Sequence, residues 1–308
     1  MGQLAMLLRA KYLVDVHSFT QVRGLPFTTV ELADAIVALA SLRAGDRTVV
    51  ERPAYFAILA PARALGAKVT RVAWTMGKDG PELSSAKMMR ALVPGTKLLA
   101  LARPNNPMGA RVPDEDLKML AERCEALGAR VLVDEVFAEA TTLGDRPAAR
   151  LHPAILSANS LTKCFGFGPL QAGWLHGDAE AIEEARLAKW HLRPLAPTID
   201  MVAAAAVLER RDSILSATRR RREANVRTVA AFVADHGLAW TGPGAGTTCL
   251  LRTPKADDVA FARRLLAREG VLVAPGTYAE MPGWFRLGFL CDPAILAAGL
   301  EGLGRALG

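Results

Sequence analysis

Short apolar runs alternate with amphipathic stretches through the first two-thirds of the chain. Thr48–Glu51, Val69–Trp74, Lys97–Ala102, Arg130–Asp134, Ala154–Asn159 and Ala172–His176 read as strands. Helical periodicity marks Leu32–Leu42, Tyr55–Leu65, Leu83–Leu92 and Asp114–Leu127. The last of these opens after Pro113 with an acidic first turn and stops at Gly128, the expected punctuation of a helix. Such alternation predicts an α/β fold, a mostly parallel sheet with helices on both faces. Functional groups in such sheets sit at the carboxyl ends of the strands. From Thr198 the pattern changes. Ile199–Ala234 is helical, with a break expected near Arg211–Ser213, and shorter strand-like pieces follow at Thr248–Arg252, Val271–Ala274 and Trp284–Phe289. Two helices, Asp258–Arg268 and Pro293–Leu307, complete a smaller C-terminal α+β domain. The expected division is residues 1–212 and 213–308, joined by a long helix over about 199–236.

Composition narrows the class. A chain of 308 residues is long enough for one large domain and a smaller one. No apolar run reaches membrane-spanning length, and Met1–Arg9 lacks the pattern of a secretory leader, so the expectation is a cytoplasmic protein with no membrane partner. The four cysteines are scattered without CxxC pairing and read as reduced thiols. The five histidines are equally dispersed, so no metal site is expected. The net charge of +7 is densest at Arg219–Arg222. With Glu223 beside them in one helical pattern, these arginines read as a solvated helix face, and no nucleic-acid partner is expected. A basic surface still favours an anionic cofactor or substrate. Gly242–Gly246 does not join a strand to a helix and reads as a turn.

The candidate chemistry lies in Ser160-Leu161-Thr162-Lys163-Cys164-Phe165-Gly166, with Gly173-Trp174 further on. It places one lysine after an apolar strand, among hydroxyls, glycines and a phenylalanine. A partly desolvated lysine there has a lowered pKa and becomes a nucleophilic amine suited to Schiff-base chemistry. A strand-end lysine that snorkels to water is the plainer alternative. Two further segments accompany it: Asn105-Asn106-Pro107-Met108-Gly109, and Val133-Asp134-Glu135-Val136-Phe137 at the end of a strand. Key positions 106, 134 and 163 are 28 and 29 residues apart. Together, in this order, the three segments resemble those of pyridoxal-phosphate enzymes of the aspartate aminotransferase fold (fold type I, class I and II aminotransferases). The resemblance runs from about Ala44 to the C-terminus.

That resemblance implies pyridoxal 5′-phosphate as cofactor and a role for each of several residues. Lys163 would form the Schiff base and carry protons. Asp134 would keep the pyridine nitrogen protonated, although an aspartate at this position also suits a cap on the following helix. Asn106 would hold the cofactor's phenolic oxygen and border the substrate, in what is a turn on either reading. Tyr55, in Pro53-Ala54-Tyr55, would cover the pyridine face; otherwise it is a core tyrosine opening a helix. Ser160 would meet the phosphate, with hydroxyls from Thr28 and Thr29 as additional candidates. Arg286, between apolar neighbours in Trp284–Phe289, would clamp the substrate carboxylate, with a surface ion pair as the alternative.

Three departures from the family pattern stand out. Phe137 occupies a position where relatives carry tyrosine, which removes one hydrogen bond to the cofactor's phenolic oxygen. Gln171 stands where an arginine usually pairs with the phosphate; loss of that contact, about 1.5–3 kcal/mol, weakens affinity by roughly ten- to a hundred-fold. The segment before the first matching strand is also short. The leading expectation is an aminotransferase acting on an amino acid and a 2-oxo acid, as a homodimer by resemblance. Another reaction of the same cofactor (lyase, decarboxylase or biosynthetic synthase) and a non-catalytic relative remain as alternatives. No second carboxylate-binding arginine is assignable, so a dicarboxylic substrate has no support.

Overall fold

The computed structural model of the chain describes residues 37–38, 40–77, 80–170, 172–192, 198–254 and 256–307. Thr28, Thr29 and Gln171 lie outside these residues, as does the start of the helix expected from Leu32. Among the described residues, a six-stranded sheet is formed by β1 (Arg47–Arg52), β2 (Lys68–Ala73), β5 (Thr96–Ala102), β6 (Arg130–Asp134), β7 (Ile155–Ser160) and β8 (Gly173–His176). A short hairpin of β3 (Thr75–Gly77) and β4 (Gly80–Glu82) follows β2. The order across the sheet is β2-β1-β5-β6-β7-β8. Every pairing is parallel except the last, β7 with β8.

Parallel strands need cover on both faces, and alternate residues of each strand supply it. Val49, Leu99, Leu101, Val131, Val133 and Ile155 pack against Met88 of the helix Ser85–Ala91 and against Leu117, Leu120 and Cys124 of the helix Asp114–Ala126. Val50, Leu98, Ala100, Leu132, Leu156 and Ala158 turn the other way, against Ile58, Leu59 and Ala62 of the helix Phe56–Ala64 and Ala181 of the helix Ala179–Leu192. That last helix was not legible in the hydrophobic pattern. Its buried positions, Ala181 and Ala185, are alanines, which give only a faint apolar stripe.

The helices Thr198–Glu209 and Arg211–Asp235 are separated at Arg210 and lead into a three-stranded antiparallel sheet. Its strands are β9 (Thr248–Arg252), β10 (Ala274–Pro275) and β11 (Trp284–Gly288), in the order β10-β11-β9. β10 is two residues long and begins only at Ala274, later than the run Val271–Ala274 suggested. Val229, Val233, Phe261, Leu265, Phe285, Leu296 and Leu300 form the core beneath this sheet.

Two of the four clustered arginines are not a solvated face. Arg222 donates to the carbonyls of Gly246 at 2.7 Å and Gly244 at 2.6 Å, and so holds the 242–246 turn. Arg219 reaches Asp145 at 2.6 Å and the carbonyl of Glu139 at 3.1 Å. Only Arg220 and Arg221 are exposed. The sequence pattern placed all four on one helix, but which of them face a neighbouring element depends on the loops packed against that helix.

The turn held by Arg222 presses on the Asn105–Gly109 turn of the large sheet. Ala245 N–H donates to Gly109 O at 2.9 Å, Thr248 Oγ1 to Pro107 O at 3.1 Å and Thr241 Oγ1 to Met108 O at 3.1 Å. Gly109 has φ +74°, and a Cβ there would lie 2.8 Å from the Thr248 carbonyl oxygen. Gly109→Ala is expected to lower equilibrium unfolding stability by about 1–3 kcal/mol through backbone strain and this clash. Gly299→Ala, on the helix Pro293–Leu307 with open space around it, is expected to raise stability by up to about 1 kcal/mol. Urea titration of both variants checks the contrast.

Candidate active site

Neighbouring strands bring four separate segments to one edge. Parallel strands lie about 4.8 Å apart, so the carboxyl ends of β1, β5, β6 and β7 stand in a row. β1 leads to Tyr55, β5 to the Asn105–Asn106 turn, β6 ends on Asp134, and β7 leads through Ser160 to Lys163. β11, from the smaller sheet, contributes Arg286.

Asp134 is buried, and its Oδ1 accepts the Val136 N–H at 3.0 Å. It therefore caps the turn that follows it, as the simpler reading held, but this bond uses one oxygen only. Burial pushes its carboxyl up to about 6, while the Val136 hydrogen bond and the positive charge of Lys163 act to lower it. The acid and the amine, 29 residues apart in sequence, thus share one electrostatic environment.

Lys163 itself is exposed. The expectation of a partly desolvated amine is corrected here: the glycines and short side chains around it leave the lysine open, and neighbouring burial belongs to Cys164 and Phe165. Cys164 donates its Sγ–H to Val136 O at 3.3 Å, and burial pushes its thiol up to about 12. It is a packing residue that fixes the lysine's backbone beside the strand bearing Asp134. Thr218 Oγ1 adds a second tie, to Cys164 O at 3.0 Å.

Ser160 is fully buried, and its Oγ pairs with Thr162 Oγ1 at 2.8 Å. Thr162 was not singled out as a candidate, although its place two residues after Ser160 puts a second hydroxyl beside the first. Asn106 is buried and accepts a hydrogen bond from Arg286 Nη1 at 3.0 Å through Oδ1. Arg286 is half-buried; burial holds its guanidinium below the ordinary value, and the Tyr55 hydroxyl acts against that shift. Among the described residues Arg286 makes no ion pair; it donates to Asn106 instead. Phe137 is half-buried and opens the turn Ala138–Ala140.

Two buried acids flank Asp134. Glu51 is pushed up to about 7 by burial, with hydrogen bonds from Ala102, Trp74 and Asn105 lowering it and Asp134 raising it further. Glu135 is likewise pushed up to about 7 by burial, opposed by hydrogen bonds from Ala148 and Ser157 and by the charge of Arg103. Sequence gave no signal for either, since a glutamate's burial depends on which strands flank it.

The residues present fit pyridoxal 5′-phosphate. An amine and a buried acid stand at neighbouring strand ends, a hydroxyl pair lies between them in sequence, and an amide at the end of β5 meets a guanidinium from β11. Among the described residues no group of histidines, cysteines and carboxylates is arranged to hold a metal ion.

Comparison with known proteins places this geometry in context. Residues 24–303 match the family described as aminotransferase class I and II. Capreomycidine synthase of Streptomyces vinaceus is 29% identical over 273 residues, 85% of this chain and 69% of that protein. The aspartate/prephenate aminotransferase of Thermus thermophilus is 28% identical, over 87% of this chain and 71% of that one. Other curated relatives are spanned to 51% and 65% of their length. A PLP-dependent aminotransferase from Streptococcus suis superposes with a TM-score of 0.84 at 24% identity, covering 91% of this chain and 75% of that one. The N-succinyldiaminopimelate aminotransferase of Mycobacterium tuberculosis gives 0.83 at 22% identity, covering 98% and 82%.

The raised carboxyls make stability depend on pH. A carboxyl held near 7 in the fold and at 4.5 when unfolded binds its proton more tightly in the native state. Its contribution is full below about pH 4 and is lost as pH rises through 7. Glu135→Gln removes one such group. Relative to the unsubstituted chain, the variant is expected to gain about 1–3 kcal/mol in unfolding free energy between pH 5 and pH 7.5. Parallel denaturant titrations at the two pH values measure that gain.

Proposed function

The chain belongs to the class I and II aminotransferase family, and from that premise we propose that it is a pyridoxal-phosphate-dependent aminotransferase moving an amino group between an amino acid and a 2-oxo acid. The observation that carries the reading is the placement of Lys163, three residues after β7, beside the neighbouring strand β6 that ends on the buried Asp134. When bound, pyridoxal phosphate supplies an aldehyde and an electron-accepting pyridine ring.

This chain's residues divide the remaining work. Lys163 Nζ is the covalent anchor and afterwards the base and acid that moves a proton on the substrate carbon. Its exposure suits a group that must be reached by both cofactor and substrate. Asp134 holds a proton on the ring nitrogen; a buried carboxylate of this kind is stabilised once a cation faces it. Ser160 and Thr162 offer hydroxyls to the phosphate. Asn106 orients the phenolic oxygen, Tyr55 covers one ring face, and Phe137 contributes apolar contact without a hydroxyl. Arg286 takes the substrate carboxylate, with a planar fork suited to two parallel hydrogen bonds. The large unit, up to about residue 212, would thus hold the cofactor and the smaller one, from 213, the substrate clamp.

The assembly we infer is a homodimer. Leu187, Trp190, Ile199, Met201 and Val202, on the helices Ala179–Leu192 and Thr198–Glu209, are all exposed, an apolar face that a second copy would cover. We assign the protein to the cytoplasm. Four cysteines without a disulfide support this assignment, and no described helix is long and apolar enough to cross a membrane.

The purified chain given pyridoxal phosphate is expected to show a near-visible absorption band that borohydride shifts and Lys163→Ala abolishes. A panel of amino donors should convert that band to a pyridoxamine-like spectrum, and Lys163→Ala should reduce turnover by about 10²–10⁴-fold. An unchanged spectrum and activity in Lys163→Ala rules the reading out. Separately, Trp190→Lys combined with Val202→Lys is expected to convert a dimer to a monomer in light scattering, with the cofactor-free fold retained by circular dichroism.

A further inference from the structure

Glu51, on β1, lies outside the set of residues that meets cofactor or substrate in the reading above. Its side chain is fully buried. Oε1 accepts the Ala102 N–H at 2.6 Å, and Oε2 accepts the Trp74 indole N–H at 2.6 Å. Both neighbours donate. A carboxylate, which only accepts, satisfies them together; a protonated carboxyl would point its hydrogen at donors.

Three residues after Ala102, Asn105 ties the same strand ends together: its Nδ2 donates to Pro53 O at 3.0 Å, two residues beyond Glu51, and its Oδ1 accepts the Met108 N–H at 3.3 Å, closing the turn. The next residue is Asn106, whose Oδ1 receives Arg286 at 3.0 Å. A short chain of contacts therefore leads from Glu51 to the guanidinium across the cleft.

We propose that Glu51 is a positioning residue of the active site: its buried carboxylate ties the end of β1 to Trp74 after β2 and to Ala102 at the end of β5, and so fixes the Asn105–Asn106 turn that β5 leads into and, through it, Arg286. The proposal rests on the aminotransferase reading of this cleft for its kinetic consequence, but not for its structural one. Energetics favour it over a merely structural role. Burial pushes the Glu51 carboxyl up to about 7, so its charge costs stability above that pH. The charged group that faces it is Asp134, at the end of β6. Arg71 on β2 binds its main-chain carbonyl, with Nε at 3.2 Å and Nη2 at 2.9 Å, and not the carboxylate.

Two variants of the full chain test this. Glu51→Gln keeps the size but turns an N–H₂ toward donors, and Glu51→Asp keeps an acceptor one methylene short. In Glu51→Gln, amide hydrogen exchange of residues 103–112 is expected to accelerate roughly tenfold or more. The KM for the amino donor found in the panel should rise roughly tenfold while kcat stays within about threefold. The unsubstituted enzyme is expected to lose kcat/KM as pH falls below about 7, Glu51→Gln should remove that limb, and Glu51→Asp should restore most of the lost affinity. Unchanged exchange in a folded Glu51→Gln overturns the proposal, as does a loss of unfolding stability with KM and pH profile untouched. Should Glu51→Gln fail to fold, Asn105→Ala cuts the same link from the other side, and an unaltered KM there is equally fatal. Accelerated exchange in a chain that never shows the cofactor band would uphold the positioning role and refute the aminotransferase reading instead.

Discussion

A carboxylate taken out of water costs several kcal/mol unless charge or hydrogen bonds answer it. Three of them, Glu51, Asp134 and Glu135, lie buried at the carboxyl ends of β1 and β6. The rest of the site follows from how this cost is met. Glu51 and Glu135 are answered locally, by backbone N–H groups, an indole, an amide and a hydroxyl. Asp134 receives one backbone N–H and the more distant charge of Lys163, so it remains the acid with the least complete local answer. On the proposed function, a cationic ring nitrogen would complete it.

The same sheet edge is fixed from the other side by the smaller unit. Thr241, Thr248 and the Ala245 N–H each bind one carbonyl of the Asn105–Gly109 turn, and Arg286 binds the Asn106 side chain. Arg222 in turn holds the glycine-rich loop that supplies Ala245. The turn is thus a joint between two cores: Glu51 grips it from below, and threonines and arginine grip it from above. Asn106 and Arg286 are placed by elements from the two sheets, so their geometry depends on a contact that neither sheet makes alone.

Much of this was legible in the chain itself. Strand and helix positions followed from apolar runs and helical periodicity, and the Asp114–Ala126 helix matched its capping signals closely. What escaped were elements with a weak apolar signature: the helix Ala179–Leu192, whose buried side is alanine, and the three-residue strands of the β3–β4 hairpin. Lys163 was misjudged because neighbouring residues say what is near in sequence, whereas exposure depends on what folds over the side chain. Arg219 and Arg222 were misjudged for the same reason, since their partners come from loops about 20 to 80 residues away.

The sequence by itself determined the alternation of strands and helices, the three ordered segments around Asn106, Asp134 and Lys163, and hence the class of chemistry. These are local properties: side-chain period, turn residues and motif spacing are all written along the backbone. Only the tertiary structure decided that Glu51 is buried against two donors, that Asn106 meets Arg286, and that Lys163 stands open beside a buried acid. Those facts depend on strand order and on the seating of one unit on another, where residues distant in the chain become each other's solvent.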